Sequence, residues 1–196
     1  TAMASAMGME GWRITPHREL SGGRIVILPR PYDREFFDEV LTSLQTAKLH
    51  PRELLVCVPP SEIVSDGPKR DSKVSQALRS WGYRVWNGCD EEVRRTEVPD
   101  DDEIRVVLYD SMRGLEGWST VLVALDEFYT HRVAHPNLRP NDRCTPEAVA
   151  KRWVLMALTR AAQTLAITIS DPSSEVADWL RRSGGELPDD VVEWRT

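Results

Sequence analysis

No Gly-x-x-x-x-Gly-Lys-Ser/Thr phosphate loop occurs anywhere in the 196 residues, so the chain carries no complete ATP site. Cysteine is scarce. Cys57, Cys89 and Cys144 are odd in number, far apart and without Cys-x-x-Cys spacing, which fits a reducing cytoplasm and leaves fold stability to packing. No apolar run approaches the roughly 20 residues that span a bilayer, so no membrane segment is expected. Basic charge is not in excess either: 25 Lys and Arg against 31 Asp and Glu give a net charge of −6. That balance argues against a surface whose main work is wrapping a polyphosphate, and confines any DNA contact to a local patch. No serine, cysteine or histidine sits in a recognisable nucleophile elbow. His131 and His135 have the four-residue spacing of two ligands on one helical face, but Pro136 follows at once and no third ligand lies near in sequence. They read as a surface loop pair, and no metal is assigned.

Short apolar runs alternate with helical patterns, the signature of a parallel sheet covered by helices. Strands are expected at 24–28, 54–58, 83–86, 105–109, 121–125 and 165–169, with little polar alternation, as in strands buried on both faces. Helices are expected at 33–49, 72–81, 146–162 and 173–182. Thr145-Pro146-Glu147 combines an N-cap oxygen, a first-turn proline and a carboxylate near the positive helix end. Gly184-Gly185 after Arg181-Arg182 suggests a basic last turn and a left-handed stop. Segments 59–71 and 128–143 read as loops. Residues 1–10, rich in small side chains, read as a flexible leader or cloning remnant, and 11–196 as one α/β domain.

Two segments carry the chemistry. At 100° per residue, Val149, Trp153, Met156 and Arg160 share one helical stripe, so a permanently charged guanidinium continues an apolar face and needs an anionic partner. That partner is either an acidic residue in a salt bridge or a transferring phosphate met by an arginine finger. The second segment is Arg113-Gly114-Leu115-Glu116-Gly117. A glycine in a tight loop lets backbone approach a ligand, and the adjacent carboxylate can accept hydrogen bonds from vicinal hydroxyls; an ordinary turn is the plainer reading. Leu122 to Glu127 imitates a Walker B strand, but an aspartate of that kind works against a phosphate loop, and none is present. Of the tryptophans, Trp81, Trp86 and Trp153 lie in core-like patterns, leaving Trp118 as a candidate exposed contact.

The order of an apolar strand, Ser111-x-Arg113-Gly114-Leu115-Glu116, a second apolar strand and a helix ending Leu158-Thr159-Arg160-Ala161 resembles motifs V and VI of UvrD-like superfamily 1 helicases. The specific letters lie in those two stretches; the element order extends the resemblance over about residues 24–169. It implies the C-terminal, RecA-like domain of a DNA helicase: a three-layer α/β fold with a mostly parallel sheet and helices on both faces. It further implies that Arg160 is catalytic toward the γ-phosphate, that Gly114 and Glu116 join it in contacting ATP, and that Ser111, Arg113 and Trp118 face DNA. Lys151-Arg152 falls where the family carries a basic pair. Departures accompany the match: Leu108 and Asp110 stand in place of a Thr and a His, Arg113 in place of a lysine, and Leu155 in place of a tyrosine. Arg18 is the nearest candidate for a further arginine of motif IV. ATP and Mg²⁺ would be bound only by the intact enzyme, with an N-terminal domain supplying the phosphate loop and single-stranded DNA as substrate. The alternative is a non-catalytic, degenerate RecA-like module that binds a partner protein or a nucleotide.

Overall fold

The computed structural model describes residues 2–9, 23–64, 69–136, 144–188 and 191–195; Arg18 lies outside them. Seven parallel strands form one sheet in the order β3-β4-β2-β5-β6-β1-β7. They are β1 (Arg24–Leu28), β2 (Leu54–Val58), β3 (Arg84–Asn87), β4 (Glu103–Leu108), β5 (Gly117–Leu122), β6 (Ala161–Thr168) and β7 (Val192–Trp194). The helices are α1 (Ala2–Ala6), α2 (Arg34–Thr46), α3 (Lys73–Ser80), α4 (Glu91–Thr96), α5 (Leu125–Ala134), α6 (Pro146–Leu158) and α7 (Glu175–Gly184). Side chains of α2 and α3 fill one face of the sheet, and those of α1, α5, α6 and α7 fill the other. This is the α/β three-layer class expected, with a sheet that is wholly parallel. The interior strand β2 is buried at every position, as its uninterrupted Leu-Leu-Val-Cys-Val run requires. Among the described residues no helix is long and apolar enough to cross a membrane.

Local chemistry explains the element ends. Asp33, Ser72, Thr145 and Ser174 each accept a hydrogen bond from a backbone N–H in the first turn of the helix that follows, and Pro146 occupies the start of α6 where no donor is needed. The stop after α7 differs from expectation. Arg181 and Arg182 do form a basic last turn, but Gly185 has φ −68, a right-handed conformation.

Three further differences matter for the site. The loop expected at 128–143 begins instead as α5, because Leu125, Phe128, Tyr129 and Arg132 recur at helical spacing and are buried. β5 starts and ends earlier than the apolar run suggested: Trp118, Ser119 and Thr120 join the strand, and Ala124, at φ 46, turns the chain out of it. α6 ends at Leu158 rather than 162, since Ala161 is claimed by pairing with Gly117. The first residues, expected as a flexible leader, include the short α1, with Ala4 and Met7 buried and the Met7 carbonyl accepting from Lys151 Nζ at 2.7 Å.

The acidic tail contributes β7, which was not expected as a strand. Its hold on β1 is reinforced by charge: Arg24 Nε donates to Glu193 at 3.1 Å, and Arg195 donates to Glu193 at 2.7 Å and to Glu39 at 2.6 Å. The hydrogen bond from Arg195 lowers the carboxyl pKa of Glu39, and those from Arg24 and Arg195 lower that of Glu193. Carboxyl groups depressed in the folded state stabilise it above the ordinary glutamate value of about 4.3 and lose that contribution as pH falls through their folded values. Hydrogen exchange should therefore show the Arg195 N–H, bonded to the Ile27 carbonyl at 3.0 Å, protected near neutrality and opening below about pH 4.3 while β6 stays closed. Protection of β7 that is unchanged in Arg195→Met at all pH would show that the ion pairs do not hold this edge.

Candidate functional site

Between β4 and β5 the chain returns across the sheet through residues 109–116, with one 3-10 turn at Tyr109–Ser111 and no α-helix. Tyr109 and Met112 anchor this crossing in the core. The Tyr109 hydroxyl donates to the Val123 carbonyl at 3.0 Å, and its ring stacks on Phe128 at 4.0 Å between centroids. The crossing then turns through Gly114, whose φ of +82 is a left-handed conformation that glycine adopts without strain. It delivers Gly114, Leu115 and Glu116 to the amino edge of the sheet.

Arg160 arrives at the same edge from α6. The Gly117 N–H donates to the Arg160 carbonyl at 3.0 Å, and Gly117 pairs with Ala161. The guanidinium is half-buried and folds back: Nε donates to the Met156 carbonyl at 3.0 Å, Nη2 to Thr159 Oγ1 at 3.1 Å and Nη1 to the Leu115 carbonyl at 3.4 Å. Among the described residues no carboxylate lies within ion-pair distance of it, so the salt-bridge alternative is not what these residues form. Arg160 stands in the turn beyond α6 and so is not a member of the helical stripe expected to carry it. Glu116 is exposed, and its carbonyl accepts from Arg105 Nη2 at 2.8 Å. Sequence reasoning missed Arg105. It sits on β4 with its Nε buried and unpartnered, and burial pushes the guanidinium below the usual arginine range. The available signal was an arginine beside the apolar run Val106-Val107-Leu108.

The other expected residues separate. Arg113 is exposed, with its guanidinium 5.4 Å from the centre of the Trp153 ring, and Ser111 is half-buried in the turn that follows β4. Trp118 stands at the start of β5, 40% exposed, at the amino edge beside Glu116. Asp110 is paired at 3.3 Å with Arg132, a residue of α5 whose side chain is 5% exposed. Lys151 and Arg152 diverge, the first tying down Met7 and the second pointing to Cys144 Sγ at 3.4 Å. His131 and His135 lie on and just beyond α5 rather than in a loop, with rings stacked at 4.5 Å.

The carboxyl edge of the sheet holds a closed polar network. Both carboxylate oxygens of Asp126 accept backbone N–H groups, from Ser170 at 3.0 Å and Asp171 at 2.8 Å. Glu127 bonds the hydroxyls of Ser61 and Ser170. Burial raises Glu62, to which the Tyr32 hydroxyl donates at 3.3 Å. In Glu127 burial acts in the same sense, but the serine hydroxyls prevail and lower its pKa. The acidic pair that imitates a Walker B end thus joins segments of the fold. Among the described residues no group of three or more His, Cys, Asp and Glu side chains could hold a metal ion.

No family model and no curated protein matches the sequence. Among solved structures the chain is similar to the C-terminal domain of a possible DNA helicase from Lactobacillus plantarum WCFS1, with a TM-score of 0.48 and 12% identity. The alignment covers 100% of this chain and 96% of that one. Similarity of this degree does not bear on function.

Two glycines should respond differently to alanine. A Cβ at Gly117 would stand 2.7 Å from the Ser119 carbonyl oxygen and 3.0 Å from that of Glu53, backbone that cannot swing aside. At Gly114 nothing lies within 4 Å, and only the positive φ opposes a side chain. We expect Gly117→Ala to cost about 1–3 kcal/mol and Gly114→Ala roughly 1–2 kcal/mol in urea titrations. Gly117→Ala should also disturb the Arg160 turn, seen as faster exchange of the Gly117 neighbourhood. Equal exchange in both variants would contradict this coupling.

Proposed function

We propose that this chain is the C-terminal motor domain of an ATP-dependent superfamily 1 DNA helicase or translocase of UvrD-like type. In this reading it lends Arg160 and the Gly114-Leu115-Glu116 loop to an ATP site completed by a domain that carries the phosphate loop. One observation supports it most: the two segments with the motif letters, more than forty residues apart, meet through the Gly117 to Arg160 hydrogen bond.

The residues present fit a phosphate. Arg160 has only neutral oxygen acceptors among the described residues, and an anionic oxygen is a stronger partner for a guanidinium. Its Nε bond to Met156 fixes the plane, while the long contact of Nη1 with Leu115 is the one most readily exchanged. Bound ATP would supply the phosphoryl group whose transfer powers movement; Arg160 would stabilise the charge that develops on it. Glu116, exposed next to that contact, would accept hydrogen bonds from ribose hydroxyls. Mg²⁺ would be held by the other domain.

A second reading, a degenerate RecA-like module that binds a partner protein or a nucleotide, draws support from Asp110. Where the resembling family presents a DNA-contacting or relaying side chain, this carboxylate neutralises the buried Arg132.

The motor reading has direct tests. The chain alone should hydrolyse ATP no faster than buffer, with or without single-stranded DNA, and DNA-stimulated turnover by the pure chain would overturn the division of labour. Joined with its phosphate-loop domain, Arg160→Ala should retain ATP binding but lose turnover by roughly 10³-fold or more, the scale of an arginine finger. Arg160→Lys should recover little, since a point charge lacks the planar fork. Near-normal turnover in Arg160→Ala would return the residue to a structural role. By fluorescence anisotropy the isolated chain should bind single strands only weakly at physiological salt.

A further inference from the structure

Between the 109–116 crossing and α6 lies an open groove of about 430 Å³, which adjoins the Arg160 contacts at Met156 and Thr159. Val149, Trp153 and Met156 line it at the spacing of one helical face, and Arg113 from the crossing and Arg152 from α6 line it with them. We infer that this groove is a docking site for an acidic amphipathic helix of a partner protein. The inference holds whether or not Arg160 serves ATP.

Charge complementarity carries the argument. The chain is acidic overall, yet neither Arg113 nor Arg152 has a carboxylate within ion-pair distance among the described residues. Arg113 rests over the indole of Trp153, and Arg152 donates to the sulfur of Cys144. Asp110, the acidic residue of the crossing nearest to Arg113 on its amino side, is engaged with Arg132 beneath. Two exposed guanidinia flanking an apolar floor select a partner with apolar residues on one face and carboxylates beside them.

Shape favours a helix. The lining residues from Val149 to Thr159 run along α6 for about 15 Å, the length of roughly three turns. The neighbouring strands are interior to the sheet, so an extended peptide finds no free strand edge to extend. A single nucleic-acid strand fits less well. Guanidinia already lie over Trp153, that of Arg132 at 4.4 Å and that of Arg113 at 5.4 Å, so the indole is engaged rather than open for stacking a base.

The test uses the full chain and three labelled probes. One is a synthetic helix of about 15 residues with leucines at i, i+3, i+4 and i+7 and glutamates alongside. The second is its twin with lysines for glutamates, and the third an oligothymidylate of similar length. Fluorescence anisotropy should show saturable binding of the glutamate helix at least tenfold tighter than that of its lysine twin. The Trp153 indole resonance, assigned by Trp153→Phe, should shift on titration. In the double variant Arg113→Glu, Arg152→Glu the preference should reverse, with the lysine helix now binding better; this reversal also shows that the variant is folded. Equal binding of the two helices, no saturable binding of either, or preferential arginine-dependent binding of the oligothymidylate would each overturn the proposal, the last by assigning the groove to nucleic acid.

Discussion

At Gly117 the backbone of β5 passes so close to the carbonyls of Ser119 and Glu53 that no side chain fits, and its N–H is given to the carbonyl of Arg160. This crowded junction sets where β6 begins, where α6 must stop and therefore where Arg160 points. It also fixes the end of the 109–116 crossing, whose other end is held by Tyr109 and Met112 in the core. A loop fixed at both ends has little freedom, so Gly114, Leu115 and Glu116 occupy a defined place although they are partly or fully exposed. The geometry of the candidate site is a consequence of packing in the sheet rather than of contacts among the site residues.

Electrostatics follow a similar division. Many surface acids are paired with arginines far from the crossing, as where Arg84 meets Asp100 and Asp102, or where Arg24 and Arg195 meet Glu39 and Glu193. Around the crossing Asp110 pairs with Arg132, but Arg105, Arg113, Arg152 and Arg160 use carbonyls, a thiol, a hydroxyl and an indole as partners. A net charge of −6 therefore describes the whole surface poorly. It agrees with local cationic features that neutral groups of the protein satisfy incompletely, which is the condition for binding an anion supplied from elsewhere.

Much of this was legible in the sequence, for identifiable reasons. β1 and β2 match expectation residue for residue because their apolar runs are bounded by turn formers, and the α6 start follows from Thr145 and Pro146. The meeting of the Gly-Leu-Glu loop with Arg160 was anticipated from the motif letters. What escaped depends on tertiary context. Trp118, Ser119 and Thr120 look mixed, yet pairing of Ser119 and Thr120 with β2 and β6 on either side draws the segment into the strand. α5 begins through a left-handed alanine, which no propensity favours. The role of Arg105 could not be read because its partner is a backbone carbonyl, and carbonyls carry no sequence signature. β7 escaped because three residues in an acidic tail give no periodicity to detect, and their support lies across the sheet edge.

The central claim is that Arg160 is oriented here for an anion belonging to a shared site. The most direct measurement is a crystal structure of the chain assembled with the proposed phosphate-loop domain and a mimic of the phosphoryl group in transfer. The account predicts that Nε stays on the Met156 carbonyl while Nη1 leaves Leu115 and bonds an oxygen of the mimic, with Glu116 beside the ribose. Arg160 remaining on Leu115 while another cation contacts the mimic would contradict it.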